Sequence, residues 1–268
     1  MIVEGRTRAE PNPITATSLH LLKRKFQKRF LAQQCTSLTN CLTDALAATA
    51  TAAPVRKNPY IIDRPKSRVN LAHDEARWEE ALFWQWKDPG HGRTAPWQRL
   101  LTYQVNLPNK KAADDWGEID LLGVSFQQLP VIVELKAPSS IESPVQMLVQ
   151  ATAYAVAVRK AWATCFRQEW DRSVTHGAVP LPEELRRCEL VCAAPSEYWE
   201  RWTGDTSRAR TMTPAAWRAF GDLRKALERH GFPSVFLRLG HEGKDPAGLP
   251  IAITMQEEHL ERLRQLSL

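Results

Sequence analysis

The sequence predicts an α/β (α+β) chain, a mixed central sheet flanked by helices. Apolar runs of strand length alternate with helical stretches in the order α, β-β-β, α, β, α, β, β, α from Asn58 onward. Two of the runs, Gly117–Val124 and Pro130–Lys136, are separated only by a turn region at Ser125–Leu129. Two helices open with matching signals: Ser143 as N-cap before Pro144, and Thr213 as N-cap before Pro214.

In chain order, residues 1–58 hold one predicted helix, from Ser18 to about Gln34. Leu21, Leu22, Phe26, Phe30 and Leu31 there stand against Lys23, Arg24, Lys25, Lys28 and Arg29. A Thr/Ala-rich stretch follows and ends at Pro54. Such a basic, hydroxyl-rich segment reads as a weakly ordered arm, a phosphate-gripping arm, a targeting leader, or the product of an early start site. The first of these is the default, and it divides the chain into a basic N-terminal arm, 1–58, and a folded domain, 59–268.

The folded part starts with a helix over Asn70–Trp86 and a short extended run at Tyr103–Leu107. The two apolar strands come next, then a long helix over Ser143–Trp162 and a strand at Glu189–Ala194. The helix Thr213–His230 ends where Gly231 supplies a stop. Strands at Ser234–Leu239 and Pro250–Thr254 precede a closing helix, Gln256–Leu266.

Bulk properties narrow the function. A chain of 268 residues accommodates one domain of ~200 residues plus an appendage, or two small domains. The net charge of +6 lies wholly in residues 1–58, which hold nine Lys/Arg against three Asp/Glu. Residues 59–268 hold 27 of each and are neutral. No apolar run approaches the ~20 residues of a membrane span, Ala45–Pro54 being the nearest, so an intracellular protein, cytoplasmic or nucleoid-associated, is expected. Cys35, Cys41, Cys165, Cys188 and Cys192 are an odd set at no metal-ligand spacing and read as buried thiols of a reducing compartment.

The chemistry is concentrated in Trp116-Gly-Glu-Ile-Asp120-Leu-Leu-Gly-Val and Val131-Ile-Val-Glu134-Leu-Lys136-Ala-Pro138. Side chains alternate along a strand, so Glu134 and Lys136 share a face while Val133 and Leu135 take the other. Charged groups among Val, Ile and Leu need compensation, which a divalent cation supplies. If the two runs pair as a hairpin, Asp120 lies opposite Glu134, and two carboxylates offer oxygen ligands suited to Mg²⁺ or Mn²⁺. Lys136 beside the cation orients or helps deprotonate a water and stabilises developing negative charge. A lone Glu-x-Lys on a strand is more often an exposed edge or an ion pair; the upstream Asp120 and Gly117 raise this one above that background.

Gly117-x-x-Asp120 and Glu134-x-Lys136 resemble the pattern of the PD-(D/E)XK nucleases. Gln150-x-x-x-Tyr154 matches a motif of their RecB-like exonuclease branch, which includes lambda exonuclease and the Cas4 proteins. Gln146, Gln150 and Tyr154 form one helical stripe. The resemblance covers roughly Asn70–Trp162, and it departs in having Ile119 where Pro is frequent and no iron–sulfur cysteines. It implies a restriction-endonuclease-like fold for 59–268 and Mg²⁺-dependent (or Mn²⁺-dependent) hydrolysis of DNA leaving 5′ phosphates. Asp120, Glu134 and the Leu135 carbonyl would hold the metal, while Gln150 and Tyr154 would position the phosphate or the helix. The family also places a Glu on the preceding helix. Of the three available, Glu75 and Glu79 fall within the apolar stripe of Leu71, Trp78, Leu82 and Trp86; Glu79 is preferred, Glu75 second, and Glu80 lies on the far side. His73 reads as a surface or capping residue.

Among the ten tryptophans, Trp78, Trp84, Trp86, Trp97 and Trp116 cluster near these motifs, mostly as packing residues, with Trp116 offering a face for base stacking. Lys110, Lys111, Arg159 and Lys160 are candidates for gripping a nucleic-acid backbone or for solvated faces alike. A second class of answer is a catalytically inactive nuclease-fold module that binds nucleic acid or scaffolds. A nucleophile hydrolase is disfavoured: there is no Gly-x-Ser-x-Gly, and His176, His230 and His241 lack a matching nucleophile. No Walker loop is present, so ATP dependence requires a helicase or other protein partner.

Overall fold

The computed structural model describes residues 17–22, 31–54, 74–88, 95–107, 116–175, 181–203, 212–246 and 248–257. Three helices come first: α1 (Leu19–Leu22), α2 (Leu31–Asn40) and α3 (Leu42–Ala52). Then follow α4 (Asp74–Trp86), β1 (Arg99–Asn106), β2 (Glu118–Val124), β3 (Pro130–Leu135) and α5 (Pro144–Ala161). Widened π-type turns at Trp162–Phe166 and Asp171–Thr175 continue this helical path on either side of α6 (Arg167–Trp170). The remainder is β4 (Glu189–Pro195), α7 (Ser196–Thr203), α8 (Pro214–Arg229), β5 (Ser234–Gly240), β6 (Gly243–Lys244), β7 (Pro250–Ile251) and β8 (Thr254–Glu257).

The mixed α/β architecture expected from the sequence is present. Six strands line up as β1-β2-β3-β4-β5-β8, while β6 and β7 form a separate two-stranded ribbon. The β3–β4 and β4–β5 pairs are parallel and the others antiparallel. Strand alternation divides the core into two layers. Leu122, Val124 and Ile132 meet α5 on one face; Leu121, Val131, Val133 and Leu135 meet Trp78, Leu82 and Trp86 of α4 on the other. Both predicted N-caps form: the Ser143 side chain accepts from Gln146 N–H, and that of Thr213 from Ala216 N–H. Gly231 ends α8 with φ +84°, a left-handed conformation in which a Cβ would lie 2.1 Å from the Arg186 carbonyl oxygen.

Three expectations change. Within the described residues the 1–58 segment is no weakly ordered arm, because Leu19, Leu22, Leu31, Cys35, Leu38, Leu42 and Ala45 are buried in the main core. α1 and α3 pack on α5, and α2 packs on α8. The hydroxyl-rich composition is compatible with helix because Thr36, Thr39, Thr49 and Thr51 each donate to a carbonyl four residues back. Thr49 also accepts from Leu19 N–H, and Lys160 Nζ donates to the Thr51 and Ala53 carbonyls at the end of α3. Second, Ser196–Thr203 is a helix that the sequence reading left without structure, buried through Tyr198, Trp199 and Trp202. Third, Gln256 belongs to a strand. β8 closes the sheet against the open edge of β5, with Leu239 opposite Met255, while Pro250 and Ile251 pair with β6 instead. The rest of the predicted Gln256–Leu266 helix lies outside the described residues.

Cys35, Cys188 and Cys192 are buried free thiols, as read from the sequence, and Cys41 is half-buried. No helix among the described residues is long and apolar enough to cross a membrane.

The core role of α2 is testable. Leu38 is 1% exposed, so Leu38→Ala is expected to cost about 2–5 kcal/mol in urea unfolding, the usual range for an emptied core leucine. A loss below ~0.5 kcal/mol, the usual size of an exposed-surface effect, would return this segment to the status of an arm.

Candidate active site

The open end of the β2–β3 hairpin carries the acidic residues. Leu121 pairs with Val133 and Leu122 with Ile132, which brings Asp120 to the level of Glu134 one step further on. The Asp120 carboxylate replaces a strand partner there: its Oδ2 accepts from Leu135 N–H at 2.7 Å. The Lys136 backbone N–H donates to the Ala193 carbonyl of β4, which fixes the strand end from the other side.

α4 contributes the rest of the acidic group. Carboxylate oxygens of Glu75, Glu79 and Asp120 lie within 4.8 Å of one another, a spacing at which one cation can be held. Glu79 is buried, and Glu75 is half-buried and accepts from Ala137 N–H at 3.3 Å. Both glutamates of the predicted stripe therefore reach Asp120. Glu80 points elsewhere and accepts from Trp84 Nε1 at 3.4 Å.

Glu134 has no exposed surface. Its Oε1 accepts from Lys136 Nζ at 2.6 Å, while its Oε2 is buried without a hydrogen-bond partner. Such an orphaned oxygen costs roughly 1–3 kcal/mol, and more for a charged group. Lys136 is paired a second time, with Glu142 Oε2 at 3.0 Å. On α5, Gln150 Nε2 donates to the Tyr154 hydroxyl at 3.1 Å. Tyr154 is buried beside Glu134 and Asp120.

Charge crowding shapes the ionisation. Burial pushes the Asp120 carboxyl up to about 7, Lys136 pulls it back, and Glu75 adds to the rise. Burial and the neighbouring Asp120 hold Glu134 well above the usual carboxylate range. Burial alone would lower Lys136, but Glu134, Asp120, Glu75 and Glu142 together outweigh it and raise it well above its ordinary value. Lys136 in the metal-free protein is therefore an ammonium that donates to Glu134 and offsets part of the surrounding negative charge. Burial, Glu134 and Asp120 likewise keep Tyr154 a neutral phenol.

The donor set fits a hard divalent cation. Three carboxylates converge, a fourth has an oxygen without a partner, and the charge exceeds what Lys136 offsets. Asp120 and Glu79 come together with Glu75, while Glu134 lies beside Asp120, bonded to Lys136 and outside that group of three. The Leu135 N–H faces Asp120, and in an extended residue the carbonyl points to the same side.

Glu142 was not anticipated. It lies six residues after Lys136, immediately before the Ser143 cap, and only the loop's path reveals the pairing. Other expectations fall to packing. Trp116 is buried with its ring stacked on His20 at 4.3 Å, so base stacking is not its role. Arg159 donates to the carbonyls of Arg186, His230 and Gly231, and Lys160 ties down α3, so neither is a free backbone grip. His241 meets Trp78 edge-on. Lys110, Lys111, His73 and His176 lie outside the described residues. No protein-family model, curated protein or solved structure matches the chain.

Asp120 makes the electrostatics measurable. Its proton is lost near pH 4 in the unfolded chain and near pH 7 in the folded one, so metal-free stability falls as pH rises across that window. The slope is bounded by about 1.4 kcal/mol per pH unit for one proton. Asp120→Asn keeps an acceptor for Leu135 N–H without the charge. In EDTA, its stability gain over the wild type is expected to widen from pH 4 to pH 7; parallel urea-unfolding profiles would refute the charge crowding.

Proposed function

We propose that the chain is a Mg²⁺- or Mn²⁺-dependent nuclease that hydrolyses phosphodiester bonds of DNA, in the manner of the PD-(D/E)XK enzymes its motifs resemble. The observation that carries the reading is the convergence of Asp120, Glu134, Lys136, Glu75 and Glu79 at the open end of one hairpin. The buried Glu134 oxygen without a hydrogen-bond partner, next to this group, supports the reading.

Glu75, Glu79 and Asp120 would hold the cation, with Glu134 and the Leu135 carbonyl completing the oxygen donors. When bound, a divalent ion supplies Lewis-acid activation of water and neutralises charge on the phosphate. The Leu135 N–H fixes the orientation of Asp120, and the Ala137 N–H does so for Glu75. Lys136 keeps its proton and steadies the negative charge that builds on the phosphate oxygens as water attacks. The Gln150–Tyr154 bond, midway along α5, fixes the Tyr154 hydroxyl near Glu134. Recognition of phosphate then runs through a few placed groups.

In a direct assay, purified protein is expected to cleave linear DNA with Mg²⁺ or Mn²⁺ and to be silent in EDTA. Asp120→Asn should lower the rate at least ~10³-fold and weaken Mn²⁺ binding in calorimetry, while circular dichroism stays unchanged. Lys136→Ala is a poorer probe because it strands Glu134, at a cost of roughly 3–5 kcal/mol. A wild type that binds DNA yet cuts no linear, circular or single-stranded DNA or RNA would replace this reading with the inactive nucleic-acid-binding or scaffolding module.

A further inference from the structure

The β3–α5 loop, residues 136–143, carries both Lys136 and Glu142, and Ala137 of the same loop holds Glu75. It has some order of its own: Ser140 N–H donates to the Ala137 carbonyl, and Glu142 N–H to Ser140 Oγ. Its path is nevertheless set from outside. Arg201 Nη1 donates to the Ser140 carbonyl at 2.7 Å, and Nη2 to the Pro138 carbonyl at 3.0 Å. The Tyr198 hydroxyl donates to the Glu142 carbonyl at 3.0 Å. Tyr198 and Arg201 sit three residues apart on one face of α7, and α7 is anchored on β4 and β5 through buried Trp199. Trp199 Nε1 donates to the carbonyls of Ala194 and Leu237 in those strands.

A planar guanidinium on two carbonyls, with a buried hydroxyl on a third, spans both halves of the loop. Released from these three bonds, the loop would keep its internal turn and its two ends, Ala137 N–H on Glu75 and the Ser143 cap, but would lose every bond that fixes its middle to the rest of the fold. We propose that Arg201 and Tyr198 are positioning residues for Lys136: they clamp the 136–143 loop so that Glu142 pairs with Lys136 and Ala137 N–H meets Glu75. The clamp deepens the nuclease reading and rests on it for its effect on turnover. Its effect on Lys136 does not depend on that reading.

Two measurements separate these. The first follows the lysine ammonium groups by ¹H–¹⁵N NMR, with the Lys136 signal identified by its absence from a Glu134→Gln/Lys136→Met double variant. Arg201→Ala is expected to shift or broaden this signal as Glu142→Gln does, with Arg201→Lys intermediate; a Lys136 signal identical to wild type in Arg201→Ala overturns the clamp. The second measures cleavage of a linear oligonucleotide duplex in Mg²⁺. Arg201→Ala is expected to lower kcat roughly 10- to 100-fold with KM within roughly threefold, and the Arg201→Ala/Glu142→Gln double variant should be no slower than the worse single variant. Losses that multiply overturn a shared pathway through the loop. Should Arg201→Ala fail to fold, Tyr198→Phe removes one hydroxyl only and is expected to move the Lys136 signal and kcat in the same direction. A wild type that cleaves nothing overturns the nuclease reading alone, and the NMR result then decides the clamp.

Discussion

The buried pair of Glu134 and Lys136, 2.6 Å apart at the end of a strand, is the constraint that organises this molecule. Taking two charges out of water costs several kcal/mol per ion, and mutual attraction offsets this only when the remaining polar atoms are also matched. The surroundings supply that matching unevenly. Lys136 gains a second anion in Glu142, Asp120 gains the Leu135 N–H, and Glu75 gains the Ala137 N–H. One oxygen of Glu134 gains nothing. The apolar residues of β3 bury both of its faces and so hold a register in which a one-residue slip would send these charges into the α4 core.

This arrangement opposes stability. Glu134, Asp120, Glu75 and Glu142 crowd an ammonium that neutralises at most part of their charge, Glu79 adds a fifth carboxylate beside Asp120, and burial raises Asp120 and Glu134 toward protonation. A structural ion pair would have been cheaper as a hydrophobic contact of the same volume. Retaining the charges makes sense where a ligand brings compensating positive charge. The same crowding keeps Lys136 protonated in the metal-free protein, a positive charge held among the carboxylates.

How far the sequence foretold this depended on distance along the chain. The β2–β3 hairpin, the α5 cap and the set Asp120, Glu134, Lys136 are local patterns, and the periodicity of α4 narrowed its acids to Glu75 and Glu79. Glu142, Tyr198 and Arg201 escaped because their meeting depends on a loop path and on a helix packed onto β4 and β5. α7 itself carried a usable signal, with Tyr198, Trp199 and Trp202 at helical spacing. β8 was mistaken for helix because its partner, the open edge of β5, is supplied by the fold. Trp116 looked available for a base until His20, nearly a hundred residues away, took its face.

The net charge of +6 acquires a different meaning from these contacts. All nine Lys/Arg of residues 1–58 lie outside the described residues. The described stretches 17–22 and 31–54 hold no Lys or Arg and pack on α5 and α8. Basic residues and core-forming helices therefore interleave along the same segment. Removing the segment would delete positive charge and strip α5 and α8 of their cover in one step. A fall in DNA binding or in its salt dependence after such a truncation would confound lost phosphate contacts with a damaged core. Charge and fold separate only when Lys23, Arg24, Lys25, Lys28 and Arg29 are neutralised in the full chain, with Leu19, Leu22 and Leu31 left in place.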